Sequence, residues 1–210
     1  MSVAWNTIHA ERRITGLTFM SSGRKNKLII SLLLFMILQP LVAADWSMNI
    51  LMQRFARIEI LSVQYHEEKH LSLLRMPLVS EGVLEYRRPD YLKKAMLKPE
   101  QESFAADKEI ITLTKNGKIT RQIAMSDYPP LTAFVAAYLA LLSGDQKELS
   151  RHYAHQLSGK EDHWRLMLKP KDKTIRQYVQ EIIITGAKDR IHSINNIDAE
   201  GDSSLMILQE

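Results

Sequence analysis

The sequence predicts a mainly β fold with a few helices. Three observations carry that reading. A period of two sets in at Ile58 and returns along most of the chain. An Asn-Gly pair stands between two alternating runs. One long segment is apolar on nearly all sides.

The first element is a short amphipathic helix over residues 46–57 (WSMNILMQRFAR), with Ile50, Leu51, Phe55 and Ile58 near one side. From Ile58 the period changes: Leu61, Val63 and Tyr65 alternate with Ile60, Ser62 and Gln64 in a run rich in β-branched and aromatic residues. Strand signals continue through LVSEGVLEYR, YLKKAMLK, EIITLT and KITRQIAM. Between the last two, Asn116-Gly117 predicts a tight hairpin, because both residues tolerate the positive φ of a type I′ turn.

Asp127-Tyr128-Pro129-Pro130 then reads as a helix start, with Asp127 as the capping acid and prolines in the first turn. In the segment LTAFVAAYLALLSGD, Leu131, Phe134, Val135, Tyr138, Leu139 and Leu142 recur at helical spacing. The remaining positions are mostly alanine, and Gly144 ends the run. A helix apolar on nearly all sides is buried or covers something apolar. A second short helix is expected near 145–153. The strands HWRLMLK, YVQEIIIT, IHSINNI and SLMIL, separated by turn-forming clusters, close the chain as an antiparallel meander.

Ahead of these elements, Arg24, Lys25 and Lys27 precede an apolar run from Leu28 to Leu38 and the small-residue stretch LVAAD. That order is a secretory signal peptide, with cleavage expected between Ala44 and Asp45. This run of eleven residues, ten of them apolar with Ser31 among them, falls well short of the roughly 20 needed to span a bilayer. Met20 reads as the natural start, with residues 1–19 as an upstream extension. The expected organisation is therefore a leader over 1–44 and one domain over 45–210.

Residues 1–44 hold five of the 28 Lys and Arg and one of the 24 Asp and Glu, which leaves 23 of each and a formal charge of zero in the rest. The basic excess belongs to the leader, so no nucleic-acid partner is expected. There is no cysteine, which excludes disulfides and an acylated N-terminal cysteine.

Residues 66–70 (HEEKH) match H-E-x-x-H, which on a helix holds zinc and supplies a general base. The preceding run has strand periodicity, however. In a strand, residues four apart lie about 13 Å from each other along one face, too far for two imidazoles to share an ion at about 2 Å each. The stretch reads instead as a solvated strand end and turn. No Ser/His/Asp arrangement or glycine-rich phosphate loop has supporting context, so neither catalysis nor a cofactor or metal is expected.

The order of elements at residues 79–113 (VSEGVLEYRRPDYLKKAMLKPEQESFAADKEIITL) resembles the outer-membrane lipoprotein carrier family LolA. The match runs through G-x-L-x-x-x-R-P, a strand ending in Met-x-x-Pro, and an Asp before the next hairpin. Later stretches (LALLSGD, HWRLMLKP, EIIITG, GDSSLMIL) are similar to a LolA-like subgroup, and together they cover about 46–208. The resemblance implies an incomplete, strongly curved antiparallel β-barrel. A helix pair after the sixth strand would lie over its open face as a lid, with an apolar cavity for acyl chains beneath. It implies that Arg88, followed by Pro89, hydrogen-bonds carbonyls of the lid helices and holds the empty cavity shut. Leu131, Phe134, Val135, Tyr138, Leu139 and Leu142 become the ligand-binding or lid residues, some of which should contact cargo. Lys93-Lys94 stand where the carriers have a Trp, which points to a different acyl-like cargo.

The function this implies is a monomeric periplasmic carrier and chaperone of a lipoprotein or other acyl-bearing lipid. It would take cargo from an inner-membrane donor and deliver it to an outer-membrane acceptor. Two rivals remain: a lipid- or protein-sensing regulatory module on the same fold, and an acyl hydrolase.

Overall fold

The computed structural model describes residues 46–209. The leader, its Ala44–Asp45 junction and the start at Met20 lie outside the described residues.

Helix α1 (Met48–Phe55) is capped by the Ser47 hydroxyl, which accepts from the Ile50 amide, and it buries Leu51, Met52 and Phe55. Eleven strands follow: β1 (Ile60–His70), β2 (Leu78–Arg87), β3 (Tyr91–Lys98), β4 (Glu102–Asp107), β5 (Ile110–Lys115), β6 (Lys118–Ala124), β7 (Tyr153–Lys160), β8 (His163–Pro170), β9 (Val179–Ala187), β10 (Arg190–Asp198) and β11 (Ser203–Gln209). Between β6 and β7 lie α2 (Pro129–Ser143) and α3 (Gln146–His152), and a single turn, α4 (Lys173–Arg176), joins β8 to β9.

All strands join one antiparallel sheet in the order β6-β5-β4-β3-β2-β1-β11-β10-β9-β8-β7. The chain leaves the centre of the sheet at β1 and meanders out to the β6 edge. It then has to reach the opposite edge to start β7, and α2 and α3 make that crossing. The second meander returns to β11, which pairs with β1 from Gln64↔Gln209 to His70↔Ser203. β6 and β7 remain as edges, so the barrel is incomplete. Side chains from β1–β4 and from β10–β11 face one helix, α2, so the sheet curls around that helix.

The Asn116-Gly117 hairpin forms as expected, with φ of 50° and 76° at the two residues. Gly144 ends α2 in the left-handed region at φ 72°. It also sits where α2 meets α1, and a Cβ there would lie 2.3 Å from the Met52 carbonyl oxygen.

Several local expectations are corrected. Residues 66–70 are not a turn; β1 runs to His70, because β2 on one side and β11 on the other hold this polar stretch extended. β4 was not expected as a strand, yet it pairs along its whole length with both β3 and β5. β7 was not expected as a strand, and the second helix was expected to run to about 153, but Tyr153 is buried and Leu157 half-buried while Ala154 and Gln156 are exposed, the alternation of a strand. Asp127 does not cap α2. It lies in a one-turn 3₁₀ segment, and Tyr128 occupies the cap position without a side-chain bond.

Candidate lipid cavity

Helix α2 explains why its sequence lacks a polar face. Leu131, Phe134, Tyr138 and Leu142 line a cavity of about 270 Å³ between the helix and the sheet. Val135 packs with Ala106 and Ile111, with Leu131 and Leu139 against them. Ala137, Ala140 and Leu141 join the main core with Leu51, Phe55 and Leu149. Each side of the helix therefore has an apolar partner.

From the sheet, Leu61, Leu84, Tyr86, Leu92 and Phe104 line the cavity on one side, and Ile191, Ile194, Met206 and Leu208 line it on the other. These residues alternate along their strands, as the pleat requires, except for Ile191 and Ile194, which a register shift between Ile191 and Ser193 brings to the same face. The sequence reading left open which strand face turns inward. Burial of Tyr65 and Tyr86, with half-burial of Leu61 and Leu84, marks it.

Arg88 follows the last residue of β2. Its guanidinium donates to the Ser143 carbonyl at the C-terminus of α2, 3.3 Å from Nη1 and 3.4 Å from Nη2. It also reaches the α1 end: Nε donates to the Ile58 carbonyl at 3.3 Å, and Nη2 to the Phe55 carbonyl at 3.5 Å and to the Ala56 carbonyl. A planar fork with five donors can serve several carbonyls in this way; an ammonium has three donors and no fixed plane. The Ser143, Phe55 and Ala56 carbonyls stand at helix C-termini, where a cation is favoured. Glu59 flanks the guanidinium, 3.4 Å from Nε.

The cavity wall also holds an ion pair. Lys94 Nζ lies 2.5 Å from Glu67 Oε2, and 5.1 Å from the centroid of the Tyr65 ring. Glu67 accepts from Ser80 Oγ at 3.0 Å and from Ser204 Oγ at 2.6 Å. Register explains the set: Ser80 stands opposite Glu67 on β2, and Lys94 reaches across from β3. Burial by itself would raise the Glu67 pKa. The Lys94 charge and the hydrogen bonds from Lys94, Ser204 and Ser80 outweigh it, and the carboxyl sits below its ordinary value. Burial, then the Glu67 charge, push the Tyr65 phenol up to about 12. Tyr138 donates to Asn196 Oδ1 at 2.8 Å, and burial raises its pKa as well.

Gly82 makes room for this arrangement. It stands opposite Tyr65 on β1 and Met96 on β3, and a Cβ there would lie 1.9 Å from the Ala95 carbonyl oxygen and 2.8 Å from the Tyr65 ring.

The H-E-x-x-H motif lies wholly on β1, and among the described residues no group of three or more His, Asp or Glu is arranged to hold a metal ion. His66 and His70 instead approach Glu68 at 3.6 and 3.8 Å. Ser150 Oγ lies 3.5 Å from His155 Nδ1, but neither residue lines the cavity.

The sequence reading named the six α2 residues and Arg88, and missed the wall residues Glu67, Lys94 and Asn196. Lys94 was noted only as a departure from the family pattern. The alternation Leu92, Lys94, Met96 on β3 was the signal that placed it inward.

A family model described as outer membrane lipoprotein carrier protein LolA-like matches residues 41–209. This chain belongs to that family. Among solved structures, a LolA superfamily protein from Nitrosomonas europaea is 10% identical, with TM-score 0.44 over 79% of this chain and 92% of that one. MucB in the complex of Pseudomonas aeruginosa MucA and MucB gives 11% identity and TM-score 0.41 over 77% of this chain and 55% of that one. A DUF1329 family protein from Desulfovibrio piger gives 10% identity and TM-score 0.41 over 78% and 89%. No curated protein matches the sequence. The LolA-like fold is that of a lipid- or lipoprotein-binding module, and the open eleven-stranded sheet with helices over it is the architecture expected from the resemblance.

Proposed function

We propose that the chain is a carrier that shelters an acyl-bearing lipid or lipidated protein in the cavity under α2. In this reading it is exported, cleaved after Ala44, and moves its cargo across the periplasm as a monomer, from an inner-membrane donor to an outer-membrane acceptor. It does so without catalysis or cofactor.

The observation that carries the reading is a largely apolar cavity whose covering helix is tied down by Arg88. Exposing a 16-carbon chain to water costs on the order of 12 kcal/mol, at about 0.8 kcal/mol per CH₂. A carrier has to offset that cost and still release its load. A cavity of about 270 Å³ is just under the ~300–1,000 Å³ of ordinary ligand sites, so a long chain enters only if α2 moves outward. The Arg88 bonds favour the closed, empty form and so compete with cargo. A lid that is stable when the cavity is empty and displaced when it is full meets both demands.

Among the described residues no helix is long and apolar enough to cross a membrane, which fits a carrier that leaves the donor membrane with its load. The direct test is mass spectrometry of lipid that co-purifies with protein extracted from the periplasm. A stoichiometric acyl-bearing molecule supports the reading. Protein that emerges empty, and that takes up no fluorescent acyl ester, overturns it.

A further inference from the structure

The charged wall of the cavity is a selective feature in its own right, and its atoms state what it accepts. Glu67 already receives Ser80 Oγ, Ser204 Oγ and Lys94 Nζ, three of its roughly four lone-pair sites. It has little capacity left for a donor on cargo. Lys94 is the reverse case. An ammonium has three N–H bonds, and among the described residues Glu67 is the single hydrogen-bond acceptor of Lys94. Its spare N–H groups belong to a side chain that lines the cavity. Asn196 continues the polar patch, since it pairs in register with Ser204 and also lines the cavity.

We infer that Lys94, held by Glu67, is a recognition site for the carbonyl of a neutral acyl ester or amide, and that it discriminates against free fatty-acid carboxylates. This rests on the acyl-carrier reading above. The pair is neutral as a unit. A cargo carbonyl accepts from a spare Lys94 N–H without changing the net charge of an apolar enclosure. A cargo carboxylate would bring a second negative charge beside Glu67, where poor solvation magnifies the repulsion. A cationic headgroup would instead meet Lys94 first. The apolar part of the cavity then takes the chain, and the Glu67–Lys94 pair sets where the chain's carbonyl rests.

The test is competition against a neutral apolar fluorophore, 1-N-phenylnaphthylamine, at pH 8. Methyl laurate, N-methyl lauramide and laurate serve as competitors that share one chain. With the unaltered protein the ester and amide should displace the fluorophore at concentrations about tenfold lower than laurate, the size of one hydrogen bond from an ionised donor. Glu67→Gln keeps acceptor and donor atoms for the serines but leaves Lys94 unopposed, so laurate should become the best competitor. The double variant Glu67→Gln with Lys94→Met restores neutrality without the ammonium. It should lose the preference for a carbonyl and gain none for the carboxylate, and it serves equally if Glu67→Gln alone does not fold. Equal displacement by all three compounds before and after substitution would sink this inference and leave the acyl reading standing. Displacement by none of them would overturn the acyl reading, and this inference with it.

Discussion

The Arg88 guanidinium and the Ser143 carbonyl lie 3.3 Å apart although 55 residues separate them in the chain. The contact joins the end of β2 to the last residue of α2, and Arg88 also holds the carbonyls at the end of α1. Two helix ends that share one cation can part only if those bonds break.

Arg88→Leu should therefore bias the protein towards an open lid. Hydrogen bonds with a charged partner contribute about 1.5–3 kcal/mol, or roughly tenfold to a hundredfold in a two-state equilibrium. The expected outcome is slower release of a bound fluorescent acyl ester, with a modest fall in the melting temperature of the empty protein. Arg88→Lys should be intermediate, because a point charge replaces a planar fork. Stopped-flow release decides it, and faster release from Arg88→Leu would mean that Arg88 serves only the fold or touches cargo.

Gly82→Ala tests the packing beneath the ion pair. The added methyl meets the Ala95 carbonyl, which belongs to the β2–β3 ladder and has little freedom to yield, and the Tyr65 ring. Overpacking of this kind costs about 1–3 kcal/mol, or a melting temperature lower by roughly 2–10 °C in a domain of this size. Thermal unfolding followed by circular dichroism measures it. An unchanged midpoint would show that the two strands separate freely at this point.

Much of this architecture was legible in the sequence, for identifiable reasons. Alternation in β2, β3, β8 and β9, the positive-φ pair Asn116-Gly117 and the all-apolar α2 are local signals that tertiary structure had no reason to override. β4 and the far end of β1 were not legible. Their polar stretches are held extended by partners on both sides, and those partners are remote in sequence. The same limit hid part of the site. The α2 stripe is periodic and could be read; its division between cavity and core could not, because Val135 and Leu139 meet β4 and β5 while Phe134 and Tyr138 meet the cavity. The Glu67–Lys94 pair spans three strands and has no one-dimensional signature.

That division of α2 gives a paired prediction. Phe134→Asp places a carboxylate in the apolar cavity and should abolish binding of a fluorescent acyl ester. Leu139→Ala removes packing on the other side of the helix, against the Val135 cluster. It should lower stability by about 2 kcal/mol and leave the ligand affinity of the folded fraction within about twofold, less than one neutral hydrogen bond. Fluorescence titration beside denaturant unfolding separates the two effects. Intact binding in Phe134→Asp would move the cargo site elsewhere.

Glu67 should leave a signature in the acid range. Its folded pKa lies below the ordinary 4.5, so it stabilises the fold fully above the unfolded value. That contribution is lost as pH falls through the lower folded value, the direction linkage requires when the unfolded chain binds the proton more readily. Glu67→Gln cannot titrate. At pH 7 it breaks the pairing with Lys94, which as a fully buried pair would cost about 3–5 kcal/mol. The Lys94 side chain is 35% exposed, and solvent screening brings the expected loss down to about 1–2 kcal/mol. Once the pH has fallen through the lower folded value the native carboxyl has taken up its proton, so the two proteins should converge. The measurement is the difference in melting temperature between native protein and variant at pH 7 and at the lowest pH at which both still fold. A gap of several degrees that shrinks on acidification assigns the stabilisation to the charge on Glu67. A gap of the same size at both pH values would assign it instead to the hydrogen bonds with Ser80 and Ser204 and to packing.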